Sequence, residues 1–410
     1  MAVSKAGPAG DASAGPMPAA FRHFLLARMG SSFAYQIVSV ALGWQIYAMT
    51  GNPLDLGLIG LAQFLPMVAL TLFVGQAADR YDRRLIVACC MALEALCAVG
   101  LAVSNLAGAD SVPLLYGLVI LMSAARAFEA PTLPALLPAL VPRPAIPRAT
   151  AMSTSANKAA QILGPALGGV GYGLGAGWVY CAAALLFIAG CAGIATVAVP
   201  RQPARREPVT LASLFAGIQF IFRRRILLGT LSLDLFCVLL GGATALLPIY
   251  AKDILHAGPW ALGLLRAAPA CGAILMSLVL TRHSLRGPIG MQLFAALFVF
   301  GLATVAFGLS TWIPLSLFSL AVLGAADSVS MVVRGSLVPL HTPDDMLGRV
   351  SAVNTLFIGT SNQLGEFESG VTAALMGTVP AAVLGGLGTI AVAGLWMWWF
   401  PELRKLRSLH

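Results

Sequence analysis

The chain has 410 residues, of which 59% are hydrophobic and only 10% are charged, and its formal net charge is +9. Soluble domains carry about 25% charged residues, so a soluble protein of this length could not cover its surface with so few charges. The composition therefore excludes a soluble enzyme and a disordered chain, and it indicates an integral membrane protein.

The predicted elements begin with a tail. Residues 1–20 are rich in Ala, Gly, Pro and Ser without an apolar core, which predicts a disordered cytoplasmic tail and no cleaved signal peptide. Twelve apolar runs follow, and each is long enough for a membrane span, which needs about 20 mostly apolar residues. The predicted spans are Phe24–Ala48, Leu54–Ala78, Leu85–Leu106, Pro113–Leu137, Thr150–Tyr172, Trp178–Val199, Leu228–Tyr250, Leu262–Leu280, Pro288–Leu309, Pro314–Val333, Val350–Ala373 and Ala381–Phe400.

The basic residues predict the orientation of these spans. Of the 25 Lys and Arg, 20 lie in segments on one side of the spans, only Lys252 lies on the other side, and four lie within spans. Short loops that carry Lys and Arg remain in the cytoplasm. We therefore expect a multi-pass protein of the inner (cytoplasmic) membrane with both termini in the cytoplasm. The net charge follows from this topology and requires no nucleic-acid partner.

The sequence repeats itself weakly at half its length. An offset of 201 places Gly164 on Gly365 and Gly169 on Gly370, and an offset near 206 places residues 56–58 on 262–264. Such repeats are typical of transporters built from two related halves. The predicted fold is all-α, with twelve transmembrane helices in two pseudo-symmetric six-helix bundles. The expected units are bundles at 21–200 and 226–400, a cytoplasmic linker with an amphipathic helix at 201–225, and a basic cytoplasmic tail at 401–410.

The loop between spans 2 and 3 reads Gly75-Gln-Ala-Ala-Asp79-Arg80-Tyr-Asp82-Arg83-Arg84. It resembles the signature Gly-x-x-x-Asp-Arg-x-Gly-Arg-Arg of the major facilitator superfamily, with Asp82 in place of the second glycine. The resemblance extends over about residues 21–407 and implies the major facilitator fold. We expect the loop to act as a conformational gate in which Asp79 meets the positive end of a facing helix or arginines of the other half. The alternative is a cytoplasmic anchor without a gating role.

Span 5 contains Gly164-Pro165-x-x-Gly168-Gly169. This stretch resembles the antiporter motif of the superfamily, which is typical of exporters. Close helix packing without any bearing on transport direction is the alternative, because small residues four apart also allow helices to approach. Together with residues 348–354 and 362–370, the motif resembles the branch that includes bacterial enterobactin exporters and macrolide efflux proteins.

Ten charged residues lie within the predicted spans, where each costs at least about 2.5–3.5 kcal/mol at a helix centre. The resemblance implies that helices 1, 4, 7 and 10 line a central cavity and that helices 3, 6, 9 and 12 form an outer scaffold. Glu94 is the one charge on a scaffold helix; the others are Arg126, Glu129, Lys158, Asp234, Arg266, Asp327, Arg334, Glu366 and Glu368. The candidates for proton coupling or cavity charge are Arg126, Glu129, Asp234, Asp327, Arg334 and Glu366. The candidates for substrate contact, or alternatively for interhelical hydrogen bonds, are Asn157, Lys158, Gln161 and Asn362.

Arg126 and Asp327 occupy equivalent positions of the two halves, since they differ by the offset of 201. One hypothesis is that they face one another across the cavity and pair in one transport state. The competing hypothesis is that Arg126 pairs with Glu129, three residues along its own helix.

The resulting prediction is a secondary active transporter that moves a small organic molecule by alternating access. A proton-coupled exporter of a siderophore, drug or other amphipathic compound is favoured; an importer and a non-transporting receptor or scaffold are the alternatives. The chain shows no nucleotide-binding loop and no metal-ligand spacing, so we expect no enzyme activity, no metal and no cofactor. The expected partners are the lipid bilayer, the substrate and protons, with the proton gradient as driving force, and the protein is expected to be monomeric.

Overall fold

The computed structural model describes residues 17–197, 211–283 and 287–407. Nearly all of these residues are helical, and no strand occurs among them. The helices are α1 (Ala19–Thr50), α2 (Pro53–Arg80), α3 (Arg83–Leu106), α4 (Val112–Leu140), α5 (Ile146–Tyr172), α6 (Ala176–Thr196), α7 (Leu211–Arg223), α8 (Arg225–Leu240), α9 (Leu247–Ile249), α10 (Pro259–Arg282), α11 (Ile289–Gly308), α12 (Ile313–Leu340), α13 (Asp344–Met376), α14 (Thr378–Trp399) and α15 (Pro401–Arg404).

Among the described residues, ten helical segments are long and apolar enough to cross a membrane. The remaining two long helices, α5 and α13, are 27 and 33 residues in length and also match predicted spans. Their lower hydropathy comes from the polar and charged side chains that the sequence analysis singled out. Polar residues within a span are tolerated where they face other protein groups or a cavity rather than lipid.

The seventh span is interrupted. Arg225–Ile254 is long enough to cross a membrane as one segment, but it is not one regular α-helix. The helix α8 ends at Leu240, and a short 3₁₀ turn, α9 and a π-helical turn complete the segment. A Cβ at Gly242 would lie 2.6 Å from the carbonyl oxygen of Gly365 on α13. The close approach of α13 therefore coincides with the break in the helix, where a residue without a side chain is needed.

Most of the predicted tail, residues 1–16, lies outside the described residues, and so do residues 198–210 of the linker region. The end of the predicted tail is helical, because α1 already begins at Ala19. Within the predicted linker lies α7, which packs Ile221 into a cluster with Leu227 and Val350 while Phe222 is exposed. A helix with one buried and one exposed apolar side is suited to the surface of a bilayer.

The helices pack in two groups of related arrangement. In the N-terminal group, α1 packs on α5 and α6, and α3 packs on α4 and α6. In the C-terminal group, α8 packs on α13 and α14, and α11 packs on α12 and α14. The two groups meet mainly where α2 lies along α13 and where α5 lies along α10. The site of interest lies between these two groups.

Candidate functional site

The contact between α2 and α13 is a direct approach of two helix backbones. A Cβ at Gly370 would lie 2.5 Å from the Cα of Gly57, and a Cβ at Gly57 would lie 2.9 Å from the carbonyl oxygen of Phe367. Real Cβ atoms are not found that close to backbone atoms, so both positions require glycine in this conformation. Small residues at a helix interface allow such close approach.

The contact between α5 and α10 has the same construction. A Cβ at Gly169 would lie 2.9 Å from the Cα of Gly263, and a Cβ at Gly263 would lie 2.5 Å from the carbonyl oxygen of Pro165. The repeat relates the two contacts, since Gly57 is equivalent to Gly263 and Gly169 to Gly370. The two interfaces are therefore pseudo-symmetric copies of one glycine pair.

Both glycine pairs lie near the helix ends that are opposite the basic loops. The end of α1 at the same level adds a polar contact, in which the Tyr47 hydroxyl donates a hydrogen bond to the Asp253 carboxylate. The Lys252 ammonium lies 5.3 Å from the centre of the Tyr47 ring. Together these contacts close the space between the halves at the end opposite the basic loops.

The motif on α5 contacts helices of both halves. A Cβ at Gly164 would lie 2.7 Å from Cβ of Gln36, and one at Gly168 would lie 3.0 Å from the carbonyl oxygen of Ile37, both on α1. Gly169, next to them, contacts α10 instead. The motif thus packs α5 against α1 of its own half and against α10 of the other half.

The signature loop joins α2 to α3. The surroundings of Gly75 and the side chain of Asp79, and hence the predicted contacts of both residues, lie outside what the structure describes. Asp82 caps α3, because its carboxylate accepts a hydrogen bond of 2.9 Å from the backbone N–H of Arg84. Its φ of −62° is accessible to every residue, so this turn does not require the glycine that the family signature has there.

Arg84 of the loop contacts the segment that follows α6. Its Nη1 donates a hydrogen bond of 2.8 Å to the carbonyl oxygen of Val197, just beyond α6. Arg80 is exposed at the end of α2, and Arg83 is partly exposed at the start of α3. The loop is thereby attached to its own half at Arg84.

A buried polar cluster lies between α1 and α4. Arg126 Nη1 lies 3.1 Å from Glu129 Oε2, and the Ser31 hydroxyl donates a hydrogen bond of 2.6 Å to Glu129 Oε1. Glu129 is completely buried, whereas the Arg126 side chain is 26% exposed. The guanidinium also lies 4.7 Å from the centre of the Tyr35 ring. In this conformation Arg126 therefore pairs within its own helix.

A second polar cluster lies between α8 and α12. The Arg334 guanidinium contacts the Asp234 carboxylate, and its other terminal nitrogen lies 3.6 Å from Asp327 Oδ1. The Arg334 side chain is only 11% exposed, so one buried cation serves two carboxylates. Asp327 is therefore bound to Arg334 here, and Arg126 and Asp327 do not form an ion pair in the part of the chain that the structure describes.

Lys158 of α5 is a cation within a predicted span of the N-terminal half. The Lys158 ammonium donates a hydrogen bond of 3.1 Å to Gln161 Oε1. Asn157 accepts a hydrogen bond of 2.9 Å from Ser32 of α1, and the Asn362 amide donates to a backbone carbonyl of its own helix. In this conformation Asn157 makes an interhelical hydrogen bond, whereas Lys158 and Asn362 bond within their own helices.

Arg266 forms a cross-half contact that the sequence analysis did not select as a site. Its Nη1 donates a hydrogen bond of 2.6 Å to the hydroxyl of Ser39 on α1. Arg266 and Glu366 line a cavity of about 40 Å³ together with Ser39 and Gln63 of the other half. The charge of Arg266 within a predicted span was a visible signal. Its partner was not predictable, because nothing in the sequence indicates that Ser39 of α1 would lie opposite it.

Glu94 of α3 is also completely buried. Neither of its carboxyl oxygens has a hydrogen-bond partner among the described residues.

Comparisons with known proteins agree with this architecture. The sequence profile described as Major Facilitator Superfamily matches residues 24–365. The enterobactin exporter EntS of Citrobacter koseri is 29% identical over 402 residues, which cover 95% of this chain and 94% of that protein. EntS of Escherichia coli O1:K1 is 28% identical over 397 residues, with the same coverage of both chains.

Solved structures share the fold at low sequence identity. A POT family transporter in complex with 5-aminolevulinic acid has a TM-score of 0.73 at 12% identity, covering 95% of this chain and 97% of that chain. A bacterial homologue of the human lysosomal transporter Spinster, in an inward-facing and unoccupied conformation, has a TM-score of 0.69 at 14% identity, covering 96% and 100%. At this level of identity the likeness is one of fold.

Proposed function

The chain belongs to the major facilitator superfamily and is a transmembrane transporter, and we propose that it exports a siderophore of the enterobactin type across the inner membrane in exchange for protons. The similarity to enterobactin exporters over 95% of the chain supports export and this class of substrate. The proposed partners are the transported substrate and the surrounding lipid bilayer. A single chain forms both halves of the transport path.

The paired glycine contacts are the observation that supports alternating access. They close one end of the path with backbone contacts that have no side chains to rearrange, so opening requires the halves to move apart there. With the basic loops in the cytoplasm, as the charge distribution predicts, the closed end is the external one. This conformation is then the one that exchanges substrate with the cytoplasm, and opening of the glycine contacts completes export.

In this proposal the buried charged residues couple proton movement to substrate transport. One cluster joins Ser31, Arg126 and Glu129, and the other joins Arg334 to two aspartates. Buried ions are retained in a membrane where they serve transport, because each is costly in an apolar surrounding. A proton gradient is the proposed driving force, without a metal or organic cofactor.

Enterobactin accumulation in bacteria that lack their own enterobactin exporters tests the proposal. Expression of the protein should lower the cellular enterobactin content, and a proton uncoupler should abolish that effect. A higher content on expression would indicate an importer instead. An unchanged content at normal membrane expression would exclude enterobactin as the substrate.

The signature loop yields a separate prediction. Asp79→Ala should reduce transport while membrane expression remains normal, since the loop would lose the carboxylate that we expect to meet the positive end of a facing helix or arginines of the other half. Enterobactin accumulation is compared with the amount of protein in the membrane, and Glu402→Ala, which changes an exposed carboxylate near the end of the chain, is the control. Unchanged transport in Asp79→Ala would assign the loop an anchoring role only.

A further inference from the structure

Two charged residues of the C-terminal half lie directly inside the glycine contacts. Arg266 follows Gly263 along α10, and Glu366 precedes Gly370 along α13, each by about one helical turn. Because α10 begins and α13 ends near the closed end, both charges lie one turn, or about 5.4 Å, deeper than the glycine contacts. Arg266 and Glu366 are therefore placed at the closed end of the space between the halves.

The Arg266 side chain reaches across this space to α1. Its Nη1 donates a hydrogen bond of 2.6 Å to the Ser39 hydroxyl, and its Nη2 lies 3.3 Å from the place that a Cβ at Gly43 would occupy. Ser39 and Gly43 are four residues apart and share one face of α1. The guanidinium therefore joins α10 of the C-terminal half to α1 of the N-terminal half.

The partner of Arg266 distinguishes it from two other arginines within the spans. Arg126 and Arg334 each pair with a carboxylate. In the part of the chain that the structure describes, Arg266 forms no ion pair within 4.0 Å, and its hydrogen bond goes to a hydroxyl. A guanidinium has several N–H donors in a planar fork, of which a single serine oxygen occupies one. Arg266 therefore retains donors for a second oxygen ligand.

The cavity beside Arg266 offers both a donor and an acceptor. Arg266, Glu366 and Gln63 are among the residues that line its 40 Å³, and both charged side chains are partly exposed. Glu366 also reaches the other half, since its Oε2 lies 3.3 Å from the place of a Cβ at Gly60 on α2. A water molecule has a share of about 30 Å³ in the liquid. The cavity therefore has room for the oxygen atoms at the edge of a ligand and not for a whole ligand.

The chemistry of the cavity selects a particular kind of group. A guanidinium donates hydrogen bonds and a carboxylate accepts them. Two hydroxyl groups on adjacent carbons, as in the catechols of an enterobactin-type siderophore, can satisfy both residues. One oxygen accepts a hydrogen bond from Arg266, and the neighbouring hydroxyl donates one to Glu366.

We propose that Arg266 and Glu366 form a catechol subsite through which the substrate releases the closed end. The proposal rests on the proposed export of an enterobactin-type siderophore. A catechol oxygen takes the guanidinium from Ser39, and this exchange removes the polar contact between α10 and α1. The substrate thus binds better when the halves have separated at this end, and that difference in affinity shifts the protein towards the open conformation.

Spin-label distances in the absence of any ligand test the contact itself. The labels are placed on Met49 of α1 and Leu375 of α13, which are exposed. Ser39→Ala should raise the ratio of open to closed protein at least about ten-fold, because a hydrogen bond to a charged group is lost. Ser336→Ala is the matched control, since the Ser336 hydroxyl bonds to a carbonyl oxygen of its own helix. An unchanged distance distribution in Ser39→Ala would overturn the proposal.

Enterobactin binding to the detergent-purified protein, measured by calorimetry, tests the subsite. Ser39→Ala and Arg266→Gln should both open this end, but their affinities for enterobactin should change in opposite directions. Ser39→Ala should bind more tightly than the wild type, because the guanidinium is already free. Arg266→Gln should bind about ten-fold more weakly or worse, because the charged donor is lost. Equal affinities in the two variants would show that Arg266 only joins the helices and would refute the subsite.

A conservative variant and a ligand-dependent distance complete the test. Arg266→Lys, which keeps the charge without the planar fork, should bind enterobactin with an affinity between those of the wild type and Arg266→Gln. Enterobactin should increase the open fraction of the labelled wild type, and binding without this increase would contradict release of the closed end. A wild type that does not bind enterobactin would instead refute the proposed substrate, while the ligand-free distances in Ser39→Ala would still decide whether the Arg266 contact holds the halves together.

Discussion

Gly263→Ala is expected to hold the two halves apart at the end opposite the basic loops and to abolish most transport. The new Cβ would lie 2.5 Å from the carbonyl oxygen of Pro165 and 3.1 Å from the Cα of Gly169, where only backbone atoms are available to move. Overpacking of this kind costs about 1–3 kcal/mol. A cost of that size shifts a two-state conformational equilibrium roughly 5- to 150-fold away from the closed state.

Spin-label distances across the end opposite the basic loops measure this shift. Met49 of α1 and Leu375 of α13 are exposed positions for the two labels, in a background where the exposed Cys89 and Cys271 are replaced by serine. Gly263→Ala should lengthen the distance and reduce the enterobactin export described above. Gly117→Ala is the matched control, because a Cβ at this helical glycine meets no atom within 4 Å.

The repeat extends the same prediction to the other interface. Gly57→Ala would place its Cβ 2.9 Å from the Phe367 carbonyl oxygen and 3.0 Å from the Cα of Gly370. It should therefore open the end opposite the basic loops as Gly263→Ala does. If both variants kept the wild-type distance, the glycine contacts would not control the conformational equilibrium.

Arg334→Gln is expected to destabilise the C-terminal half strongly, because it leaves Asp234 and Asp327 without their shared cation. Removal of one member of a buried ion pair costs about 3–5 kcal/mol. Thermal unfolding of the detergent-purified protein measures the loss as a lowered midpoint. The double variant Asp234→Asn with Arg334→Gln removes one of the two stranded charges and should recover part of the loss.

An exposed ion pair provides the control for this experiment. Arg225 and Glu402 lie 3.7 Å apart with side chains that are 68% and 48% exposed. Exposed pairs contribute about 0–1 kcal/mol, so Arg225→Gln should leave the unfolding midpoint almost unchanged. Equal effects of Arg334→Gln and Arg225→Gln would show that the cluster between α8 and α12 does not stabilise the protein.

Membrane insertion made much of the fold predictable. Each span must be long and apolar by itself, so the spans are visible as local runs without any knowledge of tertiary contacts. The family signature at residues 75–84 and the glycine-rich stretch of α5 were readable for the same reason, because they are continuous in sequence. The break within Arg225–Ile254 was not readable, since it accompanies a close approach of α13 rather than a local composition.

The sequence by itself determined the membrane class, the twelve spans, the two related halves and the list of buried charges. The tertiary structure decided which of these groups meet. Residues related by the repeat occupy equivalent places, but equivalence does not make them neighbours: Gly169 is equivalent to Gly370 and contacts Gly263 instead. For the same reason Asp327 binds Arg334 and Arg126 binds Glu129. Contacts depend on how each helix is rotated and on what packs against it, and one sequence repeat does not specify either.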